Sequence, residues 1–362
     1  MKKILVSMFA VAALAACTTE QTIVAPQNEA IGFETFVDNS TRANDVTTET
    51  IKNFGFGVYV SVTNTAGQSG LILTNEEVSY NGTWGYANTQ YWVAGNNYNF
   101  TAIAPYQAGE DATWTYAPKD GKMAQHGVIS FNNRDAAANQ DLVFATAARE
   151  VTVAPTTQPD AVEFAFNHML SRVMFTFANG FANNSNIKLE VYDVTITDAI
   201  SSADLAIDNG VPAAAWSNIS GTFARNFGMV GGDTLAQLVD EGVEDGTVSA
   251  STEHFYLIPA PAIENKTYNV TFKVDLYQAG VKLDTYERSA TIPATTEMKS
   301  GMSYNIKTTL TDKNTSDDGQ LYPIVFEVES IVDWDKDHDG KENTEAGDTD
   351  GDKQVDTNLP LN

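Results

Sequence analysis

The run with the densest chemistry in the sequence is Asp335-Lys336-Asp337-His338-Asp339-Gly340, three carboxylates two residues apart ahead of a glycine. Oxygen donors at that spacing, closed by a glycine turn, suit a calcium ion. The twelfth position of such a loop should carry a bidentate acid, yet it is Ala346, with Glu345 one place early. Asp335, Asp337 and Asp339 therefore read either as calcium ligands or as part of a solvated acidic tail, and no other cofactor is expected. No G-x-S-x-G, H-E-x-x-H, phosphate-binding or dinucleotide-binding pattern occurs. Acidic pairs such as Asp240-Glu241 and Glu244-Asp245 sit in polar surroundings where carboxylates are ordinarily just hydrated. An enzyme is not expected.

A second reactive group lies near the start. Lys2 and Lys3 precede an apolar run, Ile4–Leu14, that is too short to span a bilayer stably. It ends Leu14-Ala15-Ala16-Cys17, which resembles the lipobox of bacterial lipoproteins, with Cys17 as the acceptor of the lipid. Cys17 is the only cysteine, so no disulfide or multi-cysteine site can form within the chain. The expectation is a signal peptide over residues 1–17 and an outer-membrane, cell-surface protein held through lipid alone.

The third position of interest is Arg42, followed by Ala43. It is the only Arg or Lys between Lys3 and Lys52 and stands in an open polar stretch.

The elements that would position these residues are strands. The formal charge is −26, from 21 basic and 47 acidic side chains, which disfavours nucleic acid as a partner. Period-two alternation marks Ile31, Phe33, Thr35 and Val37, and then Phe54 to Val62. Further strands are expected at Leu71–Leu73, Tyr98–Ala104, Gly127–Phe131, Leu142–Ala145, Val162–Phe166 and Val173–Phe177. The second half continues with Ile187–Val191, Phe255–Ile258, Tyr268–Leu276, Tyr286–Ile292, Tyr304–Thr309 and Ile324–Val328. Short strands at that spacing predict an all-β protein of two tandem β-sandwiches. The prolines of 155–160 place the boundary, giving a tether at 18–30, domains at 31–157 and 158–332, and an acidic tail at 333–362. Residues 333–356 carry ten acidic and three basic side chains.

Several phrases in order resemble the fimbrillin-type lipoproteins of Bacteroidetes, the subunits of type V pili and their relatives. They are Tyr91-Trp92 with Tyr98–Pro105, the run Val162–Val173 containing His168 and Arg172, Phe255–Pro259, Gly301–Ile306 and Val332-Asp333-Trp334. His168 has no histidine, cysteine or aspartate at ligand spacing and reads as a hydrogen-bonded packing residue. The resemblance implies transthyretin-like sandwiches and assembly triggered by a trypsin-like maturation protease. Cutting after Arg42 would free the first strand, Ile31, Phe33, Thr35 and Val37, and a strand from another subunit would fill the groove. The donor candidate is the C-terminal strand bearing Ile324, Phe326 and Val328. The acidic tail beyond it departs from a stalk subunit and favours a tip or accessory adhesin. The alternative expectation is a stand-alone glycan-binding surface lipoprotein, in which Trp84, Tyr86, Trp114 and Tyr116, in loop-like polar surroundings, either form a sugar platform or pack under loops; host or bacterial surface glycans or proteins are the further partners expected.

Overall fold

The computed structural model describes residues 29–37, 45–133, 139–153, 155, 157–182, 185–230, 249–259, 268–292, 298–316 and 324–333. Cys17, Arg42, Ala43 and the acidic run Asp335, Asp337 and Asp339 lie outside the described residues. Nearly all regular structure is β, the one described helix being the single turn α1 (Ile51–Phe54).

The first sheet contains β1 (Phe33–Val37), β2 (Phe56–Thr63), β3 (Ser69–Tyr80), β4 (Trp84–Gly85), β5 (Asn96–Ala104), β8 (Val143–Val151) and β9 (Val162–His168). Its spatial order is β1-β9-β8-β5-β2-β3-β4. The hydroxyl of Tyr86, just past β4, donates to the carbonyl of Ile31, just before β1. The two edges of the sheet thus approach, and the sheet wraps around one aromatic core. That core follows from alternation: Phe56, Val58, Val60, Tyr98, Phe100, Phe164 and Phe166 all point to its concave side.

The hairpin of β6 (Trp114–Lys119) and β7 (Met123–Asn132) packs on the other face, with Tyr116 5.0 Å from Tyr59, ring to ring. The Thr101 hydroxyl donates to the Ala124 carbonyl across the same contact. This hairpin belongs to the third sheet, β17-β16-β11-β7-β6, formed with β11 (Ile187–Asp208), β16 (Asn269–Gln278) and β17 (Val281–Thr291). The short β12 (Val211–Pro212) and β13 (Ser217–Asn226) pair with β11. The second sheet comprises β10 (Ser171–Asn179), β14 (Ser249–Ser251), β15 (Phe255–Leu257), β18 (Met302–Leu310) and β19 (Glu327–Asp333), with β19 at its edge. Second and third sheets face each other across a core in which Phe177 lies 4.9 Å from Phe272 and Phe175 5.5 Å from Phe326.

The all-β, sandwich-type class expected from the strand spacing is the class observed. Near the expected boundary at 155–160, β8 and β9 pair within one sheet, Val143 opposite His168. The β6–β7 hairpin, from before that boundary, sits in the third sheet beside β11. Two expected elements are corrected in extent. The strand expected at Ile187–Val191 runs on to Asp208, with register shifts at Tyr192/Thr195 and Ile196/Ala199 that interrupt its alternation beyond Val191. Residues 114–119, where no strand was expected, form β6, in which the buried Trp114 and Tyr116 alternate with the exposed Thr115 and Ala117.

One glycine is dictated by space. Gly55 closes α1 at φ +64°, and a Cβ there would stand 2.4 Å from the Val78 carbonyl oxygen. It allows β2 to start immediately after the helical turn.

Candidate functional site

The seat of β1 is built from a small number of contacts. Along Phe33–Val37 it pairs in parallel with β9, Phe33 opposite Val162 and Val37 opposite Phe166. Parallel pairing is slightly weaker per residue than antiparallel pairing. Just upstream, Ile31 donates its amide to the Gln90 carbonyl at 2.9 Å and Trp92 donates to the Glu29 carbonyl at 3.0 Å. At the far end the Thr48 hydroxyl both accepts from the Val37 amide and donates to its carbonyl, at 3.1 and 2.8 Å.

Side-chain burial holds the strand more strongly than this ladder. Ile31, Phe33 and Val37 are buried, Thr35 is half-buried, and Glu34 and Phe36 face solvent. Phe33 stacks on Phe164 at 5.7 Å and meets Tyr86 at 5.1 Å, Phe100 at 6.2 Å and Phe56 at 6.3 Å. Removing this strand would uncover the concave core along its whole length and leave β9 with an unpaired edge.

Directly after Arg42 and Ala43 the chain enters a second locus, a buried polar network at the junction of the first and second sheets. Arg172 on β10 is fully buried, and its Nη1 donates to Asp45 Oδ2 at 2.6 Å while its Nε donates to Ser303 Oγ on β18. The Tyr256 hydroxyl of β15 donates to the other carboxylate oxygen of Asp45. One residue on, the Val46 amide donates to Asp141 Oδ2 at 3.0 Å, and that same oxygen lies 2.8 Å from Nδ1 of His168 at the end of β9. Burial pushes the Asp45 carboxyl above the usual carboxylate range, with the Arg172 guanidinium pulling the other way. Burial, reinforced by Asp45, also holds the Tyr256 phenol well above its ordinary value.

Residues 41–323 match the fimbrillin-like family. The chain belongs to that family. A relative, the fimbrium subunit Fim1C of Phocaeicola vulgatus, is 26% identical over 190 residues, which cover 47% of this chain and 50% of that protein. The chain thus spans about half the length of the curated relative it matches. The crystal structure of a fimbrial protein from Bacteroides vulgatus superposes with a TM-score of 0.58 at 18% identity, covering 85% of this chain and 100% of that one. That likeness is one of fold.

Within this fimbrillin-like chain the sequence-expected residues fall into distinct places. Ile31, Phe33, Thr35 and Val37 share one face, as their spacing required, although the strand proper begins at Phe33. Ile324 and Phe326 are buried in the second core and Val328 packs against it, with Phe326 touching Phe175, Phe177 and Phe272. The hydrogen-bonded strand starts only at Glu327, so Ile324 and Phe326 precede it. His168 is the packing residue expected, with Asp141 as its partner.

Of the two readings of the four aromatics, packing is the one that Trp114 and Tyr116 meet. Trp114 and Tyr116 are 2% and 6% exposed, and their polar atoms donate to the carbonyls of Pro105 and Ala124. Trp84 lies against Phe56 and Tyr80, and the Tyr86 hydroxyl is committed to Ile31. Sequence reasoning missed Asp45, Asp141 and Tyr256. A lone arginine in the apolar run Met169–Phe175 was the available signal, since a buried guanidinium requires a buried acid.

An open hollow of about 630 Å³ on the third sheet is lined by Asp193, Thr271, Lys273, Glu287 and Arg288. Its cations are already engaged: Lys273 with Asp193 at 2.9 Å, and Arg288 with the carbonyls of Asn314 and Ser316. Among the described residues no group of three or more His, Cys, Asp or Glu could hold a metal, and no helix is long and apolar enough to cross a membrane.

Proposed function

We propose that this chain is a subunit of a cell-surface fimbrium, either structural or a tip or accessory adhesin, exported as a lipoprotein through Cys17 and assembled by protease-triggered strand exchange. A cut after Arg42 releases lipid and β1 together, and a strand from another subunit fills the seat. The observation that carries this reading is the seat itself. β1 is a strand at a sheet edge, held mainly by Ile31, Phe33 and Val37, and it ends five residues before Arg42.

Burial of those three side chains is worth roughly 5–9 kcal/mol, at about 1.5–3 kcal/mol each. An empty groove is thus a strong acceptor for any strand with matching side chains. Ile324-Val325-Phe326-Glu327 repeats the spacing of Ile31-Gly32-Phe33-Glu34, with Ile, Phe and Glu at the same three places. Position 328 is valine where β1 has Thr35, which is half-buried in the seat. A strand from one copy entering the groove of the next makes a heterologous contact, which grows a filament rather than closing a ring. Membership of the fimbrillin-like family and the similarity to a fimbrium subunit support the same reading.

The test is a chain starting at Ala16 with Cys17→Ser, treated briefly with trypsin and examined by intact mass, N-terminal sequencing and electron microscopy. A stable core beginning at Ala43 that forms filaments or heat-resistant ladders is expected. An uncut Arg42, or a trimmed core that stays monomeric, overturns assembly by strand exchange.

A further inference from the structure

We propose that the buried Asp45–Arg172 ion pair is a stop for strand release, holding the chain from Asp45 onward in place when β1 leaves. The inference rests on the reading that the chain is cut after Arg42.

The need for a stop is physical. A new chain terminus frays unless it is tied down. The residues just past the cut, 45–54, supply Val46 and Ile51 to the same concave core that β1 covers. If they followed β1 out, the groove would lose its floor as well as its cover, and an incoming strand would meet no defined pocket. α1 is a single turn and too short to hold itself.

The geometry answers that need at the third residue after Arg42. Asp45 is 2% exposed and its carboxylate is gripped from two strands of the second sheet, by Arg172 of β10 and Tyr256 of β15. Its carbonyl accepts from the Thr50 hydroxyl at 2.8 Å, which closes the turn leading into α1. Val46 is tied through its amide to Asp141, in the loop before β8. None of these groups belongs to β1. Among the described residues, its end is hydrogen-bonded to this segment through Thr48, whose hydroxyl bonds the Val37 backbone. Release of β1 therefore breaks the Thr48 bonds and leaves whole those of Asp45 to Arg172, Tyr256 and Thr50 and of Val46 to Asp141.

Lys52 provides the readout, as the next basic residue after Arg42, on α1 and partly exposed. Trypsin digestion of the Cys17→Ser chain is followed by N-terminal sequencing of the core. The wild-type core should begin at Ala43 and persist, whereas the Asp45→Ala core should be trimmed on to Asn53 at least ten-fold faster. Uncut Asp45→Ala protein should resist at Lys52, and Phe272→Ala, destabilised in the other core, should stop at Ala43 like the wild type. Identical ladders for wild type and Asp45→Ala overturn the stop while leaving strand release intact. A wild-type chain that never yields Ala43 overturns both. Should Asp45→Ala fail to fold, hydrogen exchange on the cut wild-type core decides. Protected amides at Val46 and Ile51 support the stop, and amides that open with loss of β1 overturn it.

Discussion

Phe33 stacks on Phe164 with ring centroids 5.7 Å apart and planes 26° from parallel, directly above β9, the neighbour to which β1 is hydrogen-bonded. This one side chain ties the first strand to the ring cluster that the rest of the sheet encloses. Truncating it in Phe33→Ala should cost about 3–5 kcal/mol in the uncut chain, as for other buried aromatics. The same substitution should leave a core trimmed to Ala43 unchanged, because residue 33 is gone from it. Urea unfolding of the cut and uncut forms of both proteins checks the pair of outcomes.

The Asp45–Arg172 pair should show strong coupling. Arg172→Met alone leaves a buried carboxylate without its cation and should cost about 3–5 kcal/mol. Asp45→Asn alone takes the facing negative charge from a fully buried guanidinium. Together the two should cost less than their sum, by about 0.5–3 kcal/mol, since each single change already abolishes the same interaction. A double-mutant cycle by chemical denaturation measures the difference; additive values would mean that the two charges are stabilised by other neighbours.

How much of this was legible in the sequence depends on range. The inward face of β1 was readable because alternation is a local property: Ile31, Phe33, Thr35 and Val37 share a side whatever else the chain does. Arg172 and His168 could be located within their phrase, but their partners could not, because Asp45 and Asp141 lie far from them in sequence and meet them only in the fold. Trp114 and Tyr116 misled for a different reason. Asp111 and Thr113 before β6 and Thr115 within it are polar, and β6 buries one face only, so a strand of six residues resembles a loop with aromatics in it. In the same way the bulges of β11 reset its alternation and hid a single strand of 22 residues.

Trp114 offers a direct check on that correction. It is buried, and its indole nitrogen donates to the Pro105 carbonyl at 2.9 Å. Trp114→Ala should therefore cost about 3–5 kcal/mol of stability. Trp114→Phe, which keeps most of the ring but loses the donor, should cost less. Thermal unfolding of the two variants measures this; a Trp114→Ala protein as stable as the wild type would restore the exposed aromatic surface.

The contact between the first sheet and the β6–β7 hairpin should be sensitive to alkali. Burial pushes the Tyr59 phenol up to about 12, and burial raises its partner Tyr116 as well. In the unfolded chain both ionise near the ordinary value of about 10. Below that pH the phenols are neutral in either state and contribute no slope. Between pH 10 and about 12 the unfolded chain has lost protons that the folded chain keeps, so stability falls as pH rises through this window. Phenolate absorbance from Tyr59 and Tyr116 should accordingly appear late, together with unfolding. Tyr59→Phe, which removes one such group while keeping the ring against Tyr116, should flatten the decline in stability across the same window. A decline as steep as in the wild type would mean that the alkaline limit is set elsewhere, with Tyr256, held by Asp45 at the other junction, the next to replace.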